Sequence, residues 1–282
     1  MSKDINIKLF ILGVLFSIIF NLLLNHSLVP HYSKNTSINE KFSVDTAKNT
    51  TVVICNYARP DNIPKIIQHI SKNPYIDEII VTHGEEKTYR DFEGAVNIPN
   101  YEVNSKYGGA QRFFAALESS NEKIIFLDDD LLPSHTLIQD MINLSNKDPD
   151  QIYGPHRRLC SDKGYGVPVE GNYNIILTKT AMTSKNVVKA YMKNFYKYSE
   201  LLENTHGNGE DITFNHSFIT TFKKKPHYIQ GESDERTLFN NTKAYSSLPN
   251  HTPIREAICR TFFIKPIFAN LVSDITNTKN IE

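Results

Sequence analysis

The sequence predicts an α/β domain, a mostly parallel sheet with flanking helices, carried behind one N-terminal apolar span. Three observations predict it. From residue 51 short β-branched runs alternate with segments of helical apolar period. The run Lys123-Ile124-Ile125-Phe126-Leu127 delivers Asp128-Asp129-Asp130 at its carboxyl end. From Leu9 to Leu24 the chain is apolar apart from Gly13, Ser17 and Asn21, and Leu28 and Val29 extend that stretch towards the roughly 20 residues that span a bilayer.

The elements follow in order. Residues 1–8 read as a cytosolic tail and 9–29 as a transmembrane signal anchor. Lys3 and Lys8 precede the apolar stretch, so the positive-inside rule sends everything after residue 30 to the lumen, as in a type II protein of the endoplasmic reticulum or Golgi. A cleaved signal peptide is the competing reading, but Asn25-His26-Ser27-Leu28-Val29-Pro30 offers no clear small-x-small cleavage site. Residues 30–50 read as a polar stem and 51–282 as the folded lumenal domain. The sequons at Asn35, Asn49, Asn143, Asn215, Asn240 and Asn250 are compatible with lumenal exposure.

Thr51-Val52-Val53-Ile54-Cys55 predicts a buried strand, Pro64 to Ile70 a helix that opens at a proline, and Glu78 to Val81 a second strand. A helix from Ala110 to Ser119 then precedes the strand Ile124 to Leu127, so the order strand-helix-strand-helix-strand implies parallel pairing. Ser134 reads as the cap of a helix beginning at His135. Glycines 154, 164, 166 and 171 mark loops, followed by a strand at Tyr173 to Leu177, a helix from Lys185 to Leu202, and another from the acids Glu210-Asp211 to Phe222.

At 282 residues and 40% hydrophobic, the chain can bury one substantial core. Its 31 basic and 31 acidic side chains cancel, which excludes a global electrostatic footprint for nucleic acid. Cys55, Cys160 and Cys259 are too few for a disulfide framework, and the odd number leaves at least one unpaired within the chain. The ten histidines show no zinc spacing.

Chemistry concentrates in two acidic motifs. Three carboxylates at the rim of a sheet repel one another, and a divalent cation relieves that repulsion. Open α/β sheets bind ligands at this edge, and hard cations combine one or two carboxylates with phosphate oxygens, so the expected ligand is a metal-held nucleotide diphosphate. A solvated turn is the plain alternative. The second motif is Asn208-Gly209-Glu210-Asp211-Ile212. One acid suffices to cap a helix, whereas sugar transfer needs a carboxylate beside the anomeric carbon. His156-Arg157-Arg158 could reach phosphate or an acidic acceptor, but reads first as ordinary surface arginines. Lys223-Lys224-Lys225 reads as a solvated helix end.

The order Asn56-Tyr57-Ala58-Arg59-Pro60, Gln111-Arg112-Phe113, Leu127 to Leu131, then Gly209-Glu210-Asp211-Ile212 with Asn215 resembles the exostosin-type glycosyltransferase domain over residues 51 to about 265. The resemblance implies a GT-A fold of Rossmann-like type and transfer with retention of anomeric configuration. A sugar, N-acetylhexosamine or hexose, would pass from a UDP-sugar to a glycan acceptor with Mn²⁺ or Mg²⁺ as cofactor. It implies that Asp128 lies near ribose and metal, with Asp129 beside it at the nucleotide, and that Asp130 is the direct metal ligand. Arg59 and Arg112 would line the nucleotide site. Asp211 would be the catalytic acid beside the donor sugar, with Glu210 its neighbour, and Arg255 corresponds to an arginine on the diphosphate, although its spacing to Cys259 is off by one. Family members carry a cysteine just before the second acid pair, joined to one near the C-terminal arginine. This chain has Gly209 there and retains Cys259, so that staple is absent or redirected to Cys160. A catalytically silent, membrane-tethered protein that binds carbohydrate or nucleotide sugar is the alternative class.

Overall fold

A computed structural model describes residues 49–168, 171–231, 235–238 and 249–264. The tail, the anchor and all but the last residues of the stem lie outside the described residues, as does the end of the domain beyond 264. Among the described residues no helix is long and apolar enough to cross a membrane.

The chain begins with β1 (Thr50–Asn56), α1 (Ile63–Ile70), β2 (Ile76–His83), β3 (Val96–Pro99) and α2 (Tyr101–Tyr107). A 3-10 turn, Gly108–Ala110, leads into α3 (Gln111–Leu117), followed by β4 (Lys123–Asp128), β5 (Leu131–Pro133) and α4 (His135–Lys147). Then come β6 (Tyr153–Gly154), the hairpin β7 (Arg157–Ser161) and β8 (Gly164–Gly166), β9 (Ile175–Ile176), β10 (Thr180–Ser184), α5 (Lys185–Lys193) and α6 (Ser199–Asn204). The described part closes with α7 (Glu210–Phe222), β11 (His227–Tyr228), β12 (Glu235–Thr237), α8 (His251–Cys259) and a π-helical turn, Arg260–Ile264.

Seven of these strands form one sheet in the order β11-β6-β10-β4-β1-β2-β3. The pairs β1–β2, β1–β4, β2–β3 and β6–β11 are parallel, and β10 is antiparallel to both its neighbours. The chain runs outward from β1 through β2 to β3 and then returns to lay β4 on the other side of β1. The strand order therefore reverses between β1 and β4, and the crevice beyond their carboxyl ends is where open α/β sheets place ligands. Cys55 pairs with Asp128 across that boundary, so the segment after β1 and the acidic run after β4 emerge side by side.

Alternation along the strands fills both faces of the sheet. Val52, Ile54, Ile125 and Leu127 pack with Ile63, Ile66 and Ile70 of α1 and Leu137, Ile138 and Met141 of α4. Val53, Ile124 and Phe126 pack on the opposite side with Phe113, Val187, Val188, Tyr191, Phe214 and Phe218. Each such side chain contributes about 1.5–3 kcal/mol when fully buried. Phe113 stacks on Phe214 with ring centroids 4.6 Å apart, which docks α7 and its acidic first turn beside α3.

Ser134 caps α4 by accepting from Leu137 N at 3.0 Å. The helix expected from Lys185 to Leu202 is instead broken into α5, a 3-10 turn at Phe195–Lys197, and α6. Asn194 ends α5, its side chain donating to the Ala190 carbonyl at 3.0 Å. The 3-10 turn sets Phe195 and Tyr198, three residues apart, into the same core. The strand expected at Tyr173 to Leu177 shortens to Ile175–Ile176 because Asn174 turns its side chain onto the Cys160 backbone, accepting from N and donating to O. The sequon at Asn215 is fully buried, its amide bonded to Ile176 and to the Asp211 carbonyl, so it is no surface acceptor. Lys224 pairs with Asp148 at 2.6 Å, and Lys225 lies 3.9 Å over the Tyr173 ring.

Candidate active site

A cavity of about 920 Å³ opens at the strand-order reversal. All eight site residues named from the sequence line it: Arg59, Arg112, Asp128, Asp129, Asp130, Glu210, Asp211 and Arg255. Arg157, by contrast, lies over the Tyr228 ring at 4.2 Å and is absent from the lining, while its neighbour Arg158 belongs to it.

The acidic run divides its labour. Asp129 is 3% exposed, and its Oδ2 accepts the backbone N–H groups of Tyr57, Ala58 and Arg59 at 3.1, 3.0 and 3.0 Å. Its Oδ1 takes the Arg59 guanidinium at 2.8 Å, and Asn62 donates to its carbonyl at 3.0 Å. The carboxylate is thereby consumed in folding the loop after β1. Asp128 accepts from Arg112 Nη2 at 2.8 Å. That arginine is itself fixed by the carbonyls of Gly109 and Thr178 at 3.0 and 2.7 Å. Burial opposes the charge on Arg112, but Asp128 leads the neighbours that offset it, so its pKa rises.

Asp130 faces the cavity with a quarter of its side chain exposed and Arg59 at 3.3 Å. Burial, reinforced by the Asp128 charge and only partly countered by Arg59, pushes its pKa up to about 6.

The second acidic motif opens α7 after Gly209, which adopts φ +101. A Cβ at Gly209 would overlap the Ile258 side chain of α8. Asp211 is the paired member: Arg255 Nη2 donates to its Oδ1 at 2.6 Å and lies 2.5 Å from Oδ2, each side chain only 6% exposed. The same nitrogen donates to the Tyr165 hydroxyl at 2.9 Å, and the guanidinium lies 4.5 Å from the centre of the Tyr165 ring. Burial pushes the Tyr165 hydroxyl up to about 12. Burial disfavours the Arg255 charge, but Asp211 and Tyr165 outweigh it and raise its pKa.

Among the described residues Glu210 has no such clamp. Thr178 donates to its Oε1 at a long 3.3 Å, and Gly109 leaves room for it, since a Cβ there would lie 3.2 Å from that oxygen. Burial, then the adjacent Asp211, push Glu210 up to about 7.

Cys160 and Cys259 form a disulfide, and Cys55 remains a buried thiol whose pKa burial raises to about 12. Sequence reasoning missed Tyr165, Thr178, Lys179 and His251, which also line the cavity. The one sequence signal for Tyr165 is its place between Gly164 and Gly166, which marked a loop and not a hairpin strand.

A sheet whose order reverses beside paired carboxylates and arginines puts this cavity where open α/β sheets bind their ligands. The family model of the glycosyl transferase family 64 domain matches residues 50–277, and the chain belongs to that family. It is a glycosyltransferase, which takes a nucleotide-sugar donor and a glycan acceptor. No curated protein matches the chain.

Proposed function

We propose that this protein is a retaining, metal-dependent, exostosin-like glycosyltransferase of GT-A type that moves a hexose or N-acetylhexosamine from a UDP-sugar to a glycan. The observation that carries the reading is that both acidic motifs line a single cavity, with Asp129 and Asp211 tightly bonded and Asp130 and Glu210 held only by longer contacts at 3.3 Å. The donor set fits a hard divalent cation. Asp128 and Asp130 would supply carboxylate oxygens, and burial followed by the Asp128 charge raises the pKa of Asp130, a cost that such an ion would relieve. Among the described residues no group of three His, Cys, Asp or Glu gathers to hold a metal, so phosphate oxygens of the donor would have to complete the ion's shell. Mn²⁺ or Mg²⁺ held by Asp128 and Asp130 would neutralise the departing diphosphate.

The chain's own residues do the rest. Arg112, anchored on two carbonyls and Asp128, and Arg59, beside Asp129 and Asp130, line the nucleotide end. Arg255 supplies positive charge near the leaving diphosphate, and its partner Asp211 keeps that charge aimed. Glu210 is the acid beside the anomeric carbon, its carboxylate held by one long bond from Thr178 and placed to stabilise an oxocarbenium-like centre. The sequence favours Asp211 for that role, but the ion pair with Arg255 leaves Glu210 as the better-presented oxygen.

The protein acts in the lumen of the endoplasmic reticulum or Golgi behind an N-terminal anchor at residues 9–29. The apolar run there and the Cys160–Cys259 disulfide support this, because such bonds persist in oxidising compartments.

The test is a screen of nucleotide sugars for Mn²⁺-dependent hydrolysis, joined to calorimetric titration with UDP in the presence and absence of Mn²⁺. Wild type binds UDP more tightly with the metal, and Asp130→Asn abolishes both that gain and turnover. Equal UDP affinity with and without metal, or wild-type turnover by the variant, overturns the metal assignment.

A further inference from the structure

The Cys160–Cys259 disulfide closes a small frame around the Arg255 guanidinium. On α8, Arg255 and Cys259 are four residues apart and share a helix face. In the hairpin, Cys160 pairs directly with Tyr165, and residues opposite each other in an antiparallel pair project to the same side. The circuit is therefore Arg255, one helical turn to Cys259, the sulfur bridge to Cys160, across the hairpin to Tyr165, and from its hydroxyl and ring back to Arg255. Inside the site the guanidinium has little else to orient it. Nη2 carries the bonds to Asp211 and Tyr165, while Nε is buried without a hydrogen-bond partner among the described residues.

The packing around the bridge points the same way. Cys160, Cys259, Ile175, Ile212 and Ile258 form a cluster separate from the two large cores of the sheet. Ile212 follows Asp211, and Ile258 lies against Gly209, so this cluster joins the Asp211 turn to the arginine helix. Asn208 Nδ2 donates to the His251 carbonyl at 3.0 Å and fixes the other end of α8.

We propose that Cys160 and Cys259 are positioning residues for transfer: their bond holds the hairpin and α8 in the register that aims Arg255 at the departing diphosphate, and transfer is therefore sensitive to thiol reduction. This rests on the proposed role of Arg255. Displacing a positioned charge by about 1 Å can cost on the order of 100-fold in rate, with no need for the fold to be lost.

The experiment compares full-length wild type, oxidised and reduced, with Cys160→Ala/Cys259→Ala and Tyr165→Phe. The donor is the nucleotide sugar that wild type hydrolyses fastest, and every assay runs below the measured melting temperature of each form. The expected result is a kcat lowered by roughly 10- to 100-fold in the reduced and alanine forms, recovered on reoxidation by the reduced wild type and not by the alanine form. KM and UDP affinity with Mn²⁺ stay near wild type. Tyr165→Phe breaks the frame without touching sulfur and lowers kcat in the same direction at unchanged melting temperature. Unchanged kcat in the reduced and alanine forms overturns the proposal. So does a loss of activity that tracks loss of folded protein while Tyr165→Phe keeps full kcat, which makes the bridge a stabiliser only. Arg255→Ala separates the two levels: if it retains wild-type kcat, the role of Arg255 itself fails, and if it loses activity while the disulfide variants keep theirs, only the positioning role fails.

Discussion

The two acidic corners of the cavity, Asp128–Asp130 after β4 and Glu210-Asp211 at the start of α7, are built on unrelated elements yet arrive at the same arrangement. In each, one carboxylate is buried and saturated: Asp129 by three backbone N–H groups and Arg59, Asp211 by Arg255. In each, a neighbour faces the cavity with a raised pKa, about 6 for Asp130 and about 7 for Glu210. They differ in what the saturated acid holds. Asp129 fixes a backbone loop, whereas Asp211 fixes a second charged side chain on a distant helix. A run of acids in a site is thus a division of work between scaffold and chemistry, and adjacent residues of identical type separate by what lies within hydrogen-bond reach.

That comparison breaks most visibly at the β4 corner. Asp130→Asn is expected to lower Mn²⁺-dependent donor turnover by about 100-fold or more with circular dichroism and melting temperature near wild type. Asp129→Ala reverses the pattern. Three part-buried backbone donors and the Arg59 guanidinium lose their acceptor, together costing on the order of 1–3 kcal/mol, so denaturant titration shows a destabilised protein. Equal behaviour of the two variants would erase the distinction between them.

The α7 corner gives the next largest effect. Asp211→Asn leaves the Arg255 charge buried without its counter-ion, a loss of about 3–5 kcal/mol visible in urea denaturation. Glu210→Gln lowers turnover yet stabilises at alkaline pH. Glu210 has a folded pKa raised from 4.5 to about 7, so its contribution to stability is full below pH 4.5 and lost as pH rises through 7. Above pH 7 wild type carries a buried charge that glutamine does not. The melting temperature of Glu210→Gln minus that of wild type, measured without ligand, therefore grows between pH 5 and pH 8, and a flat difference would contradict the raised pKa.

The smallest effect sharpens the comparison further. Gly109 has an unstrained backbone, and an added methyl would meet the Glu210 carboxylate at 3.2 Å and Arg112 Nη2 at 3.7 Å. Gly109→Ala is expected to lower kcat about tenfold or less at unchanged melting temperature, by shifting Glu210 alone. Wild-type kcat would mean that the position of Glu210 is not critical.

Much of this was legible in the chain. Short β-branched runs alternating with helical periods gave the sheet, because burial on both faces demands continuous apolar strands. Both acidic motifs were visible because adjacent carboxylates at an element's end have no folding rationale as a group. The break in the helix after Lys193 was not legible, since Phe195 and Tyr198 select a 3-10 turn only in response to the core they enter. Nor was the burial of the Asn215 sequon, which depends on the β9 backbone lying across it.

The sequence by itself determined the alternation of elements, the presence of two acidic motifs and the arginines that accompany them, because periodicity and charge are local properties. Only the tertiary structure decided which acid in each motif is spent on scaffold, which cysteine Cys259 joins, and that Tyr165 lies against Arg255. Those outcomes depend on contacts between residues far apart in the chain: Asp129 meets residues 57–59, Asp211 meets a helix that begins at His251, and Cys160 lies 99 positions from its partner. Hydrogen bonding and ion pairing act over a few ångströms, and only folding sets which distant groups come within that range.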